Sequence, residues 1–140
     1  MHKEVRISIQ GLQMMETSGD DRQEQIVSGE YYYRAGKHYL LYEEREEGTN
    51  ETTACRIKCS SDRMEVTRKG TVCTTLVFEP GRQHRNAYHT PYGTLELGTD
   101  TTRLCLTEKE ELIEVEAEYA LAMDGERVSQ NKIHITVTNK

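Results

Sequence analysis

The chain has 140 residues and a mass of 16.1 kDa, so we predict one domain spanning residues 1–140. Hydrophobic residues make up 35% and charged residues 30%, a composition that is polar for a globular protein but too apolar for a disordered one. The net charge of -6 has the wrong sign for a general nucleic-acid binder. No apolar run approaches the ~20 residues that span a bilayer, and the first residues lack the apolar stretch of a secretory signal. We therefore expect neither a membrane span nor secretion.

Short turn-forming sequences divide the chain at intervals of roughly 8–13 residues, which is typical of an all-β meander. These sequences are Gly19-Asp20-Asp21, Ala35-Gly36, Gly48-Thr49-Asn50, Ser60-Ser61-Asp62, Lys69-Gly70, Pro80-Gly81, Tyr92-Gly93, Gly98-Thr99-Asp100 and Asp124-Gly125. Between them apolar and polar residues alternate, beginning with Val5, Ile7 and Ile9. This period of two predicts β-strands.

The segment from Thr107 to Met123 fits two patterns. A capping box at Thr107–Glu110 favours a helix, whereas apolar residues at six alternate positions from Ile113 onward favour a strand. The longer match predicts a strand, followed by a hairpin turn at Asp124-Gly125. Two other segments, Tyr31–Tyr33 and Tyr39–Tyr42, are apolar or aromatic on both faces. Such strands need a second covered face, which a homodimer contact would provide.

The cysteines and histidines show no spacing typical of a bound metal. Cys55 and Cys59 lie four residues apart on a predicted strand, about 13 Å, which is too far for a disulfide or a shared zinc ion. We expect free thiols, which indicate a cytoplasmic protein. The pair His84 and His89 falls on opposite faces of a strand, and His2, His38 and His134 have no ligand spacing either. We predict neither a metal site nor a cofactor.

Four motifs in sequence order resemble those of a known family. They are Gly29–Gly36 with Tyr39–Glu44, then Val66–Gly70, Tyr88–Gly93 and Glu118–Leu121. In this order and spacing the chain resembles the YwiB-like family of bacterial proteins, from about Val5 to Val137. The resemblance implies a calycin-like, meaning lipocalin-like, β-barrel in the bacterial cytoplasm. It implies no activity, because the family is a domain of unknown function.

The strand pattern and the resemblance together predict an all-β fold: a single antiparallel calycin/lipocalin-like β-barrel of about eight to ten strands. The sequence has no Gly-x-Ser-x-Gly motif, no cysteine in a known nucleophile context and no glycine-rich phosphate loop. We predict no catalytic residues, and an enzyme of unknown reaction is the weakest of three functional hypotheses.

The leading hypothesis is a barrel that binds a small amphipathic anion, such as a fatty acid or a phosphorylated metabolite. Met64, Val66 and Arg68 share one face of a predicted strand, so Arg68 points inward if the other two do. By the same rule Glu44 lies on the face of Tyr42. Arg68 then either pairs with Glu44 or faces an open cavity and binds an anion, because a buried guanidinium needs a partner.

Tyrosines are the other predicted ligand contacts. In the open-cavity alternative Tyr42, Tyr88 and Tyr119 surround Arg68. The sequence Thr90-Pro91-Tyr92-Gly93 is explained by a tight turn alone, but at a barrel mouth this turn would also direct Tyr88 and Tyr92 at a ligand. Residues 56–85 hold seven basic and three acidic side chains, a net charge of +4. This charge reflects either ion pairs between strands or a field that attracts an anion.

The remaining hypothesis is a protein-interaction or accessory module with a filled barrel and no ligand. A cavity lined by polar groups favours ligand binding, whereas an interior filled with Leu, Ile and Phe favours an interaction module.

Overall fold

A computed structural model describes residues 3–11, 24–45 and 51–140. The regular structure in these ranges is β throughout, and none of their residues belongs to a helix able to cross a membrane. The ten strands are β1 (Glu4–Gln10), β2 (Glu24–Arg34), β3 (Lys37–Arg45), β4 (Thr52–Cys59), β5 (Met64–Lys69), β6 (Cys73–Phe78), β7 (Gln83–Thr90), β8 (Gly93–Lys109), β9 (Leu112–Met123) and β10 (Glu126–Asn139). The turns predicted at Gly19-Asp20-Asp21 and Gly48-Thr49-Asn50 lie outside the described residues.

The strands form a closed antiparallel barrel. Each strand pairs with its neighbours in the chain, and β1 pairs with β10 to complete the ring. Because β1 and β10 pair with each other, neither is a free edge strand, which removes the usual route to edge-to-edge aggregation. The predicted all-β antiparallel barrel is confirmed, with ten strands at the upper end of the predicted range.

Alternate residues of the strands point into the barrel and fill it. In β9, for example, Ile113, Val115 and Ala117 are buried, whereas the glutamates between them are half-exposed. The largest fully buried side chains are Tyr119, Phe78, Ile7, Leu40, Ile57, Met64, Leu76, Leu97, Leu121, Ile133, Ile135 and Val5. Burial of this apolar surface is the main source of stability, at roughly 25 cal/mol per Å².

Two predictions about β8 and β9 have different outcomes. The ambiguous segment is a strand, β9, and Asp124 and Gly125 form its hairpin turn with φ values of 50° and 87°. The turn predicted at Gly98-Thr99-Asp100 is wrong, because these residues lie inside the long strand β8. Leu97 and Thr99 are buried on either side of Gly98, and β8 pairs with β9 through this region, so packing keeps the chain extended.

The ladder between β6 and β7 is short. Over the fully described residues 73–90, it consists of two residue pairs, Cys73 with His89 and Thr74 with Tyr88. Beyond them β7 diverges and β6 contacts β8 instead, where the Thr99 hydroxyl donates a hydrogen bond to the Val77 carbonyl. The barrel wall is therefore least continuous beside the second half of β6, after Thr74.

Candidate ligand site at one end of the barrel

A row of inward-facing side chains crosses five strands at one end of the barrel. Tyr42, Cys55, Arg68, Thr74 and Tyr88 are successive neighbours in the register from β3 to β7. They share one face because directly paired residues of adjacent antiparallel strands point to the same side of a sheet. The inward position predicted for Arg68 is therefore present in the structure.

Arg68 pairs with Glu44. Its Nη2 atom lies 3.4 Å from Glu44 Oε1, and the two side chains are 20% and 22% exposed. The Cys55 thiol donates to the same carboxylate oxygen at 3.0 Å, and Gln25 Nε2 donates to the other at 3.0 Å. Of the two arrangements predicted for Arg68, the Glu44 pair is the one observed. Gln25 and Cys55 were not among the predicted site residues.

The cluster nevertheless contains buried polar atoms that are not satisfied. Among the described residues, Arg68 Nε has no hydrogen-bond partner and is shielded from solvent. The Tyr42 hydroxyl lies in the same situation, beside the Cys55 thiol but without a hydrogen bond of ordinary geometry in the described ranges. Buried polar groups are nearly always paired, so these two atoms mark a place where a water molecule or a ligand would be stabilised.

Burial keeps three ionisable side chains of the site neutral at pH 7. Burial, together with the hydrogen bond to Glu44, raises the pKa of Cys55 to about 12. Burial also raises the pKa of Tyr42 well above its usual value, and that of Tyr88 to a smaller extent. The thiol and both phenols are therefore neutral at pH 7 and add no charge beside the Arg68–Glu44 pair.

Tyr88 continues the row into an apolar groove. The groove has a volume of about 620 Å³ and is lined by Thr71, Val72, Tyr88, Thr90, Pro91, Tyr92, Gly93, Thr94 and Leu95. Leu95 is the register neighbour of Tyr88, so the groove begins two strands, roughly 10 Å, from Arg68. A smaller cavity of about 250 Å³ touches Arg68 itself, together with Thr74, Asn86 and His89, beside the short β6–β7 ladder.

The other two tyrosines predicted as ligand contacts, Tyr92 and Tyr119, lie outside the row that contains Arg68. Tyr92 is 99% exposed at the tip of its turn, at the rim of the groove. The turn is held by the Thr90 hydroxyl, which accepts from the Tyr92 amide and donates to the Gly93 carbonyl, and Gly93 has a φ of 137°. Local geometry thus accounts for this motif. Tyr119 is fully buried and packs edge-on against Phe78, with ring centroids 4.8 Å apart.

Three of the seven basic residues in segment 56–85 form ion pairs with described carboxylates. Lys58 and Arg63 both contact Glu65, at 3.9 and 3.6 Å, and Arg63 also lies 3.9 Å from Glu79. With the Arg68–Glu44 pair, these contacts favour ion pairing as the explanation for the local charge of +4 at these three residues. Arg68 differs from Lys58 and Arg63 because it points into the barrel.

A second polar cluster contains one buried residue, His38, with the half-buried Tyr31 and the exposed Glu108. His38 is 4% exposed, and its Nδ1 atom lies 2.8 Å from the Tyr31 hydroxyl while Nε2 contacts the Glu108 carboxylate. Because β3 and β8 are five places apart in a ring of ten, the His38–Glu108 contact reaches across the barrel. Both ring nitrogens of His38 therefore have polar partners. Sequence spacing gave no signal for this cluster, because Glu108 is 70 residues beyond His38 in the chain.

Comparisons with known proteins agree with the barrel. A profile of the family described as "Domain of unknown function (DUF1934)" matches residues 7–135. The chain is also similar to the structure titled "Crystal structure of ywiB protein from Bacillus subtilis", with 22% sequence identity and a TM-score of 0.80. That match covers 99% of this chain and 92% of the other. At this identity the likeness shows the fold alone. No curated protein matches the chain.

Proposed function

Since the chain belongs to the family described as a domain of unknown function (DUF1934), we propose a function from the site itself: the barrel binds a small amphipathic anion beside Arg68. The observation that carries this proposal is the buried Arg68 Nε atom without a hydrogen-bond partner in the described residues. A guanidinium has five donors, and Glu44 engages one of them closely. A carboxylate or phosphate on the remaining edge would satisfy it.

The apolar part of the ligand would occupy the groove next to Tyr88. Val72, Pro91 and Leu95 supply apolar walls there, and the Tyr88 ring lies between them and Arg68. A separation of roughly 10 Å between guanidinium and groove suits a chain of about eight to twelve carbons. The filled interior argues against a ligand enclosed at the centre of the barrel, so we place the ligand at its end.

We propose a cytoplasmic setting, supported by the free cysteines Cys55, Cys59, Cys73 and Cys105.

The test compares anionic and neutral ligands by calorimetric titration. Dodecanoate should bind the wild type, whereas dodecanol should bind more weakly because it lacks a charge for Arg68. Inorganic phosphate distinguishes a phosphate site from a fatty-acid site. Arg68→Gln should weaken dodecanoate binding at least about tenfold, the size of a lost charge-assisted hydrogen bond. Arg63→Gln is the matched control, because Arg63 forms outer ion pairs with Glu65 and Glu79.

The results that would contradict the proposal are direct. If neither dodecanoate nor phosphate binds the folded wild type, the barrel is not an anion binder. If Arg68→Gln binds dodecanoate as tightly as Arg63→Gln does, the ligand lies elsewhere. Leu95→Ala separates the two halves of the site, because it should weaken dodecanoate and leave phosphate unaffected.

A second candidate is self-association through the outer tyrosines, and the filled interior favours it. Tyr32 stacks on Tyr39 with ring centroids 4.6 Å apart, and Lys58 lies 5.7 Å from the Tyr39 ring. Tyr32 and Ile26 both lie on the outward face of β2 and are 40% and 60% exposed. Aromatic residues are enriched at protein interfaces, so this face suits a homodimer. Light scattering should give a dimer mass that Tyr32→Ser with Ile26→Ser reduces to a monomer; a wild-type monomer at micromolar concentration would exclude it.

A further inference from the structure

Three potential metal ligands meet on the outer wall of the barrel, away from the inward-facing cluster around Arg68. Glu114 and Glu116 are alternate residues of β9, and His134 lies directly opposite Glu116 on β10. Their side chains point outward, because the residues between them, Val115 and its register partner Ile135, are buried. The three side chains are half-buried and share one patch of surface.

The geometry of this group suits a single ion. One ligand atom from each side chain lies within 4.8 Å of the others, and His134 Nε2 is 3.4 Å from Glu114 Oε2. Around a zinc ion with bonds of roughly 2.1 Å, neighbouring ligands are about 3.4 Å apart. Small side-chain rotations would therefore bring all three atoms to bonding distance. In the part of the chain that the structure describes, this is the one group of three His, Cys, Asp or Glu residues so arranged.

We propose that Glu114, Glu116 and His134 bind a divalent transition-metal ion, with Zn²⁺ as the preferred species. The imidazole distinguishes this group from an ordinary acidic surface, because nitrogen ligands select zinc, copper and nickel over magnesium and calcium. Three protein ligands leave at least one coordination position for water or a partner molecule. This site lies on the outer wall, so it stands independently of ligand binding at Arg68.

Arg103 competes with the ion for one ligand. Its Nη1 atom lies 3.4 Å from Glu116 Oε2, and the two side chains are 51% and 45% exposed. A surface ion pair this exposed is weak, so a divalent cation would displace it. Removing the Arg103 guanidinium should therefore tighten metal binding. If Glu116 served only to pair with Arg103, this substitution would not affect metal binding.

Calorimetric titration with Zn²⁺ tests the site on the full chain. The wild type should bind one ion, and His134→Gln or Glu114→Gln should weaken binding at least about tenfold. Arg103→Gln should strengthen it. The matched control is His84→Gln, because His84 contacts one carboxylate, that of Glu79 at 2.9 Å, and belongs to no such group of three.

An exposed thiol provides the alternative explanation to be excluded. Cys105 is exposed and lies opposite Glu116 on β8, so it could bind zinc without the proposed ligands. Zinc binding that survives in Cys105→Ser but is lost in His134→Gln supports the proposal. Binding that is unchanged in His134→Gln and lost in Cys105→Ser overturns it, as does a wild type that binds no zinc.

Discussion

At the scale of single residues, Glu44 is the most heavily used polar group of the site. Its carboxylate accepts hydrogen bonds from Cys55 and Gln25 and pairs with Arg68. The neighbouring Tyr42 hydroxyl is buried but makes no ordinary hydrogen bond with the described residues. The two side chains therefore contribute differently to stability, although they lie in one cluster.

Substitution of each residue should expose this difference. Glu44→Gln should lower the free energy of unfolding by roughly 1–3 kcal/mol, because it leaves the Arg68 guanidinium without a carboxylate. Tyr42→Phe should change that free energy by less than about 0.5 kcal/mol, because it removes a hydroxyl that stabilises little. Urea unfolding measures both. An equal cost for the two variants would show that the Tyr42 hydroxyl has a partner.

At the scale of strands, glycine is required where two parts of the barrel wall approach closely. A Cβ atom on Gly29 of β2 would lie 2.6 Å from the Leu41 carbonyl oxygen and 2.8 Å from Ile7 Cδ1. On Gly98 of β8 the nearest atom would be Ala122 Cβ, at 3.5 Å, an ordinary contact. Neither glycine has a positive φ, so space alone distinguishes the two positions.

Alanine substitutions test this difference directly. Gly29→Ala should destabilise the protein by about 1–3 kcal/mol, because a backbone oxygen cannot move aside without disturbing the β2–β3 ladder. Gly98→Ala should be neutral or stabilise it by up to about 1 kcal/mol, since alanine restricts the unfolded chain. Thermal unfolding of both variants provides the comparison. A Gly29→Ala protein as stable as Gly98→Ala would show that the two strands can separate at little cost.

For the molecule as a whole, burial of ionisable groups couples stability to pH. The pKa of both Cys55 and Cys59 is raised from an ordinary value of 9.0 to about 12, with burial as the largest cause. Hydrogen bonding to Glu44 adds to the effect at Cys55, and the charge of Glu108 adds to it at Cys59. Below pH 9 both thiols are neutral in the folded and unfolded chains. Between pH 9 and 12 only the unfolded chain ionises them, which favours unfolding.

The barrel should therefore lose stability as the pH rises from 9 toward 12. Each thiol contributes at most about 1.4 kcal/mol per pH unit to this loss. Urea midpoints at pH 8 and 10.5 should differ less in Cys55→Ala/Cys59→Ala than in the wild type, although the double variant is less stable at both values. An identical pH dependence would mean that the thiols ionise in the folded protein.

The sequence by itself determined the strands and the side to which their residues point. Period-two alternation is a local property, because successive side chains of a strand face opposite sides whatever lies next to them. It therefore located β9 despite a competing helical pattern, and it placed Arg68 and Glu44 on inward faces. The motif resemblance added the barrel, which alternation alone would not distinguish from a sandwich.

Only the tertiary structure decided which distant residues meet. Ring closure and strand register bring Gln25 to Glu44, His38 to Glu108, and His134 to Glu114, although sequence spacing contains no record of these contacts. The same packing overrode the turn signal at Gly98, because its neighbours Leu97 and Thr99 are buried in the barrel. Register depends on the summed burial and pairing of all ten strands, so no single segment of sequence specifies it.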